Sequence, residues 1–537
     1  LNSPNIKHSL ANEPQPIQMP KEQAGTMVSS SSECPIHRLP PELVFKIFDY
    51  LDLPSLKSVS LTCHRSEQLF AEYCPRRCIL YIAKRPHVPI VEHLKKAAKM
   101  LQRTKRTYRS LQLHVAKPRG NKNMQAALGQ LLEPRLLQQL VVLKLDLAPD
   151  SLTFAAQLSG AVAHMDRLQE LTIRSTVDCF SPLQFSELRL ANRSLHKLVL
   201  GHVWPGVIDC PNLRLLEATA SLDVETIVGK QYAQHGGREP HWKLNQLEEL
   251  VIVEELCMAL DMENRPGYKV HFFRQLTQLK RLHCNTGYIS ERIFQAIGES
   301  CVLLEDLSIA SLHLVDPSSL RVLANLTRLR QLAISHSFKP IPLATVVCLP
   351  SLERLLLGRV VIDWQKLPNV QSLQWLKIKP YAEGVRQLCD ALAGPLKQLH
   401  CLWIDFCYAM DTPTREEILT VLPTLPALQT LVLQNVYKLQ ILKAMPPLAG
   451  LTRLVVFTAS AYEFEEDYTI TAEVLAQLVP NARRVEIGSS KPLHDNVFRQ
   501  PYQFFKSRTA FGYLLPTDHH SKWELRQYNH RYILPLR

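Results

Sequence analysis

A chain of 537 residues, 46% of them hydrophobic, holds enough apolar side chain for a large core and more than one folding unit. It contains no run of eighteen or more apolar residues, which argues against a membrane-spanning helix, and its first residues lack the basic-then-apolar pattern of a secretory signal. The net charge of +13 is local: residues 81–122 carry twelve Lys or Arg against one Glu, and residues 491–537 add +5. The long middle sums to about −3, so a uniformly nucleic-acid-binding surface is not expected. The thirteen cysteines are odd in number, scattered and without a CxxC pair, which fits reduced thiols in cytosol or nucleus. The closest pairs, Cys74/Cys78 and Cys401/Cys407, have no further ligands at zinc spacing, so neither a metal nor another cofactor is expected.

In chain order, residues 1–33 are polar and rich in Pro and Ser, with Met19 and Met27 both candidates for a natural start. Such a leader buries too little to offset chain entropy, and disorder is expected to about Ser32. Residues 34–80 change character. In "PPELVFKIFDYL", Leu43, Ile47, Phe48 and Leu51 stand at i, i+4, i+5 and i+8, an apolar stripe on one short helix whose first turn suits Pro40 and Pro41. "LPSLKSVSLTC" and "HRSEQLFAEYC" predict two more short helices, broken near Pro54 and Cys63. Three such helices bury too little to stand alone, so this unit should lean on a partner or on its neighbours.

Residues 81–107 predict a basic helical linker, with Leu94, Ala98 and Leu101 at helical spacing in "EHLKKAAKMLQRTKRTYR". Its charges read first as a solvated face, next as a contact for an acidic or phosphorylated partner, and last as a nuclear-import or nucleic-acid patch.

From 108 to 490 one phrase dominates: L-x-x-L-x-L, as in "LVVLKL" from Leu140, "LEDLSI" from Leu304, "LERLLL" from Leu352 and "LQTLVL" from Leu428. About fifteen copies, the weakest being "YRSLQL" from Tyr108, "LRLLEA" from Leu213 and "ARRVEI" from Ala482, recur at a mean spacing of about 27 residues, within the leucine-rich-repeat range. The second and third Leu stand two apart, so both point from one short strand into the core. Segments at helical period lie between, with start signals at Asp316-Pro317, Thr414 (a capping box with Glu417) and Thr471. Such units cannot bury their faces singly; the fold class is therefore α/β, a three-helix unit followed by a curved solenoid with a parallel sheet on the concave side and helices on the convex side. "GKQYAQHGGREPHW" reads as a surface loop inserted after the unit at Leu213. Residues 491–537 form an aromatic, basic C-terminal tail.

On each strand the residue between the two core positions faces the concave surface. That series is Lys144, Thr172, Val199, Glu217, Val251, His283, Ser308, Ala333, Leu356, Lys377, Trp403, Val432, Val455, Glu486. With Trp375 and Phe457 at alternate outward positions, Leu356, Trp375, Trp403, Val432, Val455 and Phe457 predict an exposed apolar patch rimmed by Arg354, Lys377, Lys379 and Asp405. Such patches mark interaction sites, and this one is the substrate-binding candidate; the competing expectation is that the C-terminal tail covers it.

The opening unit resembles the F-box. The resemblance rests on Leu39-Pro40, Glu42-Leu43, Ile47-Phe48, Tyr50-Leu51, Leu56, Ser60, Cys63 and Arg65, over residues 36–70. It departs at Ser66, where that family has Trp, a space that Phe70 or Tyr73 could fill. F-box followed by leucine-rich repeats is the architecture of the F-box/LRR family. The resemblance implies a non-catalytic substrate receptor of an SCF (Skp–cullin–F-box) ubiquitin ligase, cytoplasmic or nuclear. Leu39, Pro40, Glu42, Leu43, Ile47, Phe48, Leu51 and Leu56 would serve the Skp adaptor, and through it a cullin scaffold. The solenoid would hold a protein substrate for ubiquitination, in a pathway of ubiquitin-dependent degradation. No Walker loop, G-x-S-x-G or H-E-x-x-H occurs, so no catalytic residue is assigned. Two rival readings are a leucine-rich scaffold or inhibitor acting without ubiquitin transfer, and nucleic-acid binding through the basic segments, which is not the expected partner.

Overall fold

The structure is a computed structural model that describes residues 39–489, apart from 78, 84–89, 104–108, 116–121, 132–137, 148–154, 176–182, 202, 220–241, 254–268, 286–288, 338, 348, 364–371, 407–409, 437–438, 459–471 and 483. The expectations for the leader, Thr471, the loop within 220–241 and the C-terminal tail lie outside these residues. The chain divides into two compact units at the bond between Arg77 and Cys78.

In the first unit, three helices follow one another: α1 (Pro41–Asp49), α2 (Leu53–Ser60) and α3 (His64–Arg77). Pro41 opens α1, where its missing N–H has no intrahelical partner to lose. Asp52 caps α2 by accepting from the Ser55 amide at 2.9 Å. The Cys63 sulfur takes the same role at α3, accepting from the Ser66 amide at 3.3 Å. A small core of Val44, Phe45, Phe48, Leu56, Leu69 and Tyr73 closes the unit. Tyr73 packs edge-on to Phe48 with centroids 5.2 Å apart, and its hydroxyl donates to Asp49. Tyr73 is thus an aromatic member of this core, and Phe70 packs against it.

Among the described residues, the main sheet of the second unit is a parallel ladder of 17 strands. Each repeat strand from Ile79–Ala83 to Arg484–Ser489 pairs in register with that of the next repeat. Every L-x-x-L-x-L copy named above forms one of these strands. Their paired Leu positions, such as Leu355 and Leu357, are fully buried and pack with Ile293, Phe294 and Ile297 of helix Glu291–Ser300 and Leu388 and Leu392 of helix Val385–Ala393.

The structure differs from the sequence expectation in four places. The linker is not a linker. Ile79–Ala83 is a strand paired with Ser110–Val115, and helix Ile90–Arg103 buries Leu94 and Ala98 in the solenoid core. The solenoid therefore begins at Cys78, and its first repeat carries the basic segment. Helices are also not the only back-face elements: Leu183–Ala191, Val203–Asp209 and Trp242–Lys243 form a second parallel sheet there. The cap of helix Thr412–Val421 is Asp411, which accepts from the Thr414 amide at 3.1 Å; Thr414 lies inside the first turn. Asp316 caps its segment as expected, but Pro317–Asn325 is a 3-10 helix.

If helix Ile90–Arg103 is a repeat rather than a tether, Leu94→Ala should destabilise the solenoid by about 3 kcal/mol. Thermal unfolding of the full chain checks this, since a free linker helix would leave the transition unmoved.

Candidate functional site

Two surfaces are candidates for a functional site, one in each unit. On α1 the apolar residues split between opposite sides. Val44, Phe45 and Phe48 point into the unit's own core, whereas Leu43 and Ile47 are 45% and 39% exposed and Tyr50 is 91% exposed. The spacing of 43, 47 and 50 puts these three on one face of the helix. Of the residues expected to serve an adaptor, Pro40 and Glu42 are also exposed, and Leu39 and Leu51 are half-buried against the core. Phe48 and Leu56 are corrected: at 3% and 1% exposure they build the unit and offer a partner nothing to touch. The ridge is open.

The second surface is the sheet face away from the helices. The ladder register lines up the predicted series from Lys144 to Glu486 as one continuous row of paired residues. Two flanking rows run beside it, one through Arg354, Trp375, Cys401, Thr430 and Arg453 and one through Asp405, Gln434 and Phe457.

The expectation of an exposed apolar patch does not hold. Leu356, Trp375, Trp403, Val432, Val455 and Phe457 are 3–8% exposed and form one cluster with Ala333. Strands stand about 4.8 Å apart, so wide side chains in register lie flank to flank and exclude water from each other. Trp375 and Trp403 meet edge to face with centroids 6.3 Å apart. The Trp403 indole N–H donates to the Gln434 side chain at 3.0 Å. The Trp375 indole lies against the Cys401 thiol, which burial pushes up to about 12.

The rim also changes. Lys377 and Lys379 are 7% and 8% exposed. The Lys377 ammonium sits 3.8 Å above the Trp403 ring, a cation–π contact. Lys379 pairs with Asp405 at 3.8 Å, and Asn435, at φ 59°, donates its side-chain amide to the same carboxylate. The polar groups left accessible around the cluster are Arg354, Asp405, Thr430, Gln434 and Arg453, all half-buried. Gln434 was missed by the sequence reading, which named Asp405 and Phe457 on either side of it; their shared position in the repeat was the available signal.

Among the described residues the face assembles no nucleophile. His283 Nε2 lies 3.1 Å from Asp306 Oδ2, but Ser308, its neighbour in the row, makes no hydrogen bond to the ring. Cys210, Cys284, Cys301 and Cys389 are buried thiols pushed up to about 11 or 12 chiefly by loss of solvent, and so are poor nucleophiles.

Burial lowers the Lys377 ammonium from 10.5 to about 8, with Lys379 acting in the same direction and Asp405 opposing. Between these two values the unfolded chain holds a proton that the folded chain has released, so stability rises with pH across the window. Below about 8 the charge is carried in both states and its burial penalty is fully present. Lys377→Met should therefore stabilise the solenoid by about 1–3 kcal/mol at neutral pH. Its advantage should shrink between about pH 8 and pH 10.5, as read from thermal melts across that range.

Residues 36–72 match the F-box-like family. No curated protein matches the chain. Among solved structures, an internalin from Listeria monocytogenes matches at 16% identity and a TM-score of 0.32, over 62% of this chain and 83% of the other. A leucine-rich-repeat protein of Leptospira interrogans matches at 17% identity and a TM-score of 0.30, over 75% of this chain and 100% of the other. Likenesses this distant add nothing to the strand ladder itself. On the helical unit and that ladder together, the chain is an F-box-like domain joined to an α/β leucine-rich-repeat solenoid, a protein-interaction adaptor in design.

Proposed function

We propose that this chain is the non-catalytic substrate-recognition subunit of an SCF-type ubiquitin ligase. F-box-like domains generally bind Skp-type adaptors, and the observation that supports the same use here is the open ridge of Leu43, Ile47 and Tyr50. A unit with so small a core gains more from covering three large apolar side chains than from any rearrangement of its own. Leu43 and Ile47 are the direct contacts, with Leu39, Pro40, Glu42 and Leu51 around them. Phe48 and Leu56 act from inside by fixing the helix. The adaptor in turn links to a cullin, and the solenoid holds a protein near the charged ubiquitin carrier, so that proximity is this subunit's share of the rate enhancement.

The sheet face from Leu356 to Phe457 is the substrate-binding candidate, in amended form. Its aromatic and aliphatic side chains are a rigid floor, and Arg354, Asp405, Gln434 and Arg453 are the groups a substrate meets first. The alternative of a leucine-rich scaffold acting without ubiquitin transfer makes the opposite prediction for the ridge.

The double variant Leu43→Ala/Ile47→Ala should keep its helical fold, because neither side chain is in the core. It should bind the adaptor about a hundredfold more weakly. Absence of adaptor and cullin from material co-purified with the wild-type chain would remove the ligase reading and leave the scaffold, whereas equal capture by the folded double variant would remove the ridge as the point of contact.

A further inference from the structure

The placement of the basic segment on the first repeat carries an inference beyond the receptor reading. Helix Ile90–Arg103 is amphipathic: Leu94 and Ala98 are buried, Val91 and Ala97 pack against the core, and Lys95, Lys96 and Lys99 are exposed on the opposite side with Glu92. No carboxylate among the described residues pairs with any of the three lysines. Glu92 offsets one charge. Residues at i, i+1 and i+4 hold their ammonium groups within about one Debye length at physiological salt, so their potentials add. Because the helix is locked to the sheet through Leu94 and Ala98, these charges are fixed on a rigid element. A flexible tail would lose more side-chain and backbone freedom on binding.

We propose that this face is a docking strip for an acidic protein segment, a run of Asp and Glu on a partner. Three features favour such a partner over nucleic acid. The exposed side chains described on the helix include no aromatic to stack on a base. The described strip offers three lysines and one Glu, few cations beside the roughly six to ten phosphates that a nucleic-acid site commonly neutralises. The described cations on the strip are lysines, point charges without the planar fork suited to guanine or phosphate pairs, and an acidic residue sits among them. The strip suits a short, weakly structured acidic run that lies along the helix and makes screened contacts with each ammonium.

The test uses the full-length chain and a fluorescein-labelled peptide of Asp and Glu, with a neutral Ser/Gly peptide as control. Binding should weaken steeply as salt rises from about 50 mM to about 200 mM. Lys95→Gln/Lys96→Gln/Lys99→Gln should weaken it about tenfold, and Lys→Arg at the same three positions should restore it. All three side chains are exposed, so the fold should survive, which circular dichroism checks. Equal peptide affinity in the Gln variant overturns the proposal. So does single-stranded RNA or duplex DNA that binds more tightly than the peptide and is lost in the same variant, which would make the strip a nucleic-acid surface. Because the readout is peptide affinity rather than adaptor capture, failure here leaves the ridge on α1 untouched.

Discussion

The structure depends on one constraint: a parallel ladder in which each strand must match its neighbour residue for residue. Leu355 and Leu357 cannot enter the core unless Arg354 and Leu356 leave it, and the same alternation is imposed on Trp375 and Lys377 one strand away. A slip of one residue would move Lys377 and Trp403 into the core and Leu376 and Ile404 out, so the register is strongly specified. Close approach tightens it further. A side chain at Gly358 would place its first carbon 2.3 Å from the Ser335 carbonyl oxygen, so the neighbouring strand leaves room for hydrogen alone. No single unit could hold this arrangement, since each buries its leucines against the units before and after it.

That constraint also explains what the sequence made legible. Because the period is two and the phrase L-x-x-L-x-L marks the core positions, the outward row from Lys144 to Glu486 could be written down from the sequence and appears intact in the pairing. Exposure could not. Whether Trp403 is wet depends on Lys377 and Val432, which lie a whole repeat away in sequence and become neighbours only when the register closes. The same limit hid the first repeat. "ILYIA" lacks the leucine phrase, and the following run of Lys and Arg reads as a linker until Leu94 and Ala98 are seen to face the sheet.

On α1 the reading failed differently. The polar side of this nine-residue helix is only Glu42, Lys46 and Asp49, and periodicity cannot divide the wide apolar arc that remains into an inner and an outer half. Leu43, Ile47, Phe48 and Leu51 therefore read as one stripe in the sequence, whereas the fold uses Phe48 for itself and leaves Leu43 and Ile47 open. Tyr73 belongs to the same lesson. Its partners Phe48 and Asp49 are more than twenty residues distant, and only packing shows that it joins the unit's core.

On the proposed reading, the two surfaces would recognise partners by different physics. A hydrophobic contact gains free energy in proportion to the apolar area it newly removes from water, about 25 cal/mol per Å². Trp375 and Trp403, at 6% exposure, have little left to give, while Leu43, Ile47 and Tyr50 have most of theirs. The ridge can therefore bind through burial alone and tolerate modest polar matching. A partner on the sheet face would instead be held by groups such as Arg354, Asp405, Gln434 and Arg453, fixed on a floor whose desolvation was completed during folding. Rigid placement lowers the ordering cost of those polar contacts, and the penalty for leaving one of them unmatched gives selectivity. A ridge that binds by burial and a face that binds by polar matching would together suit the proposed role, in which one surface serves common machinery and the other a particular protein.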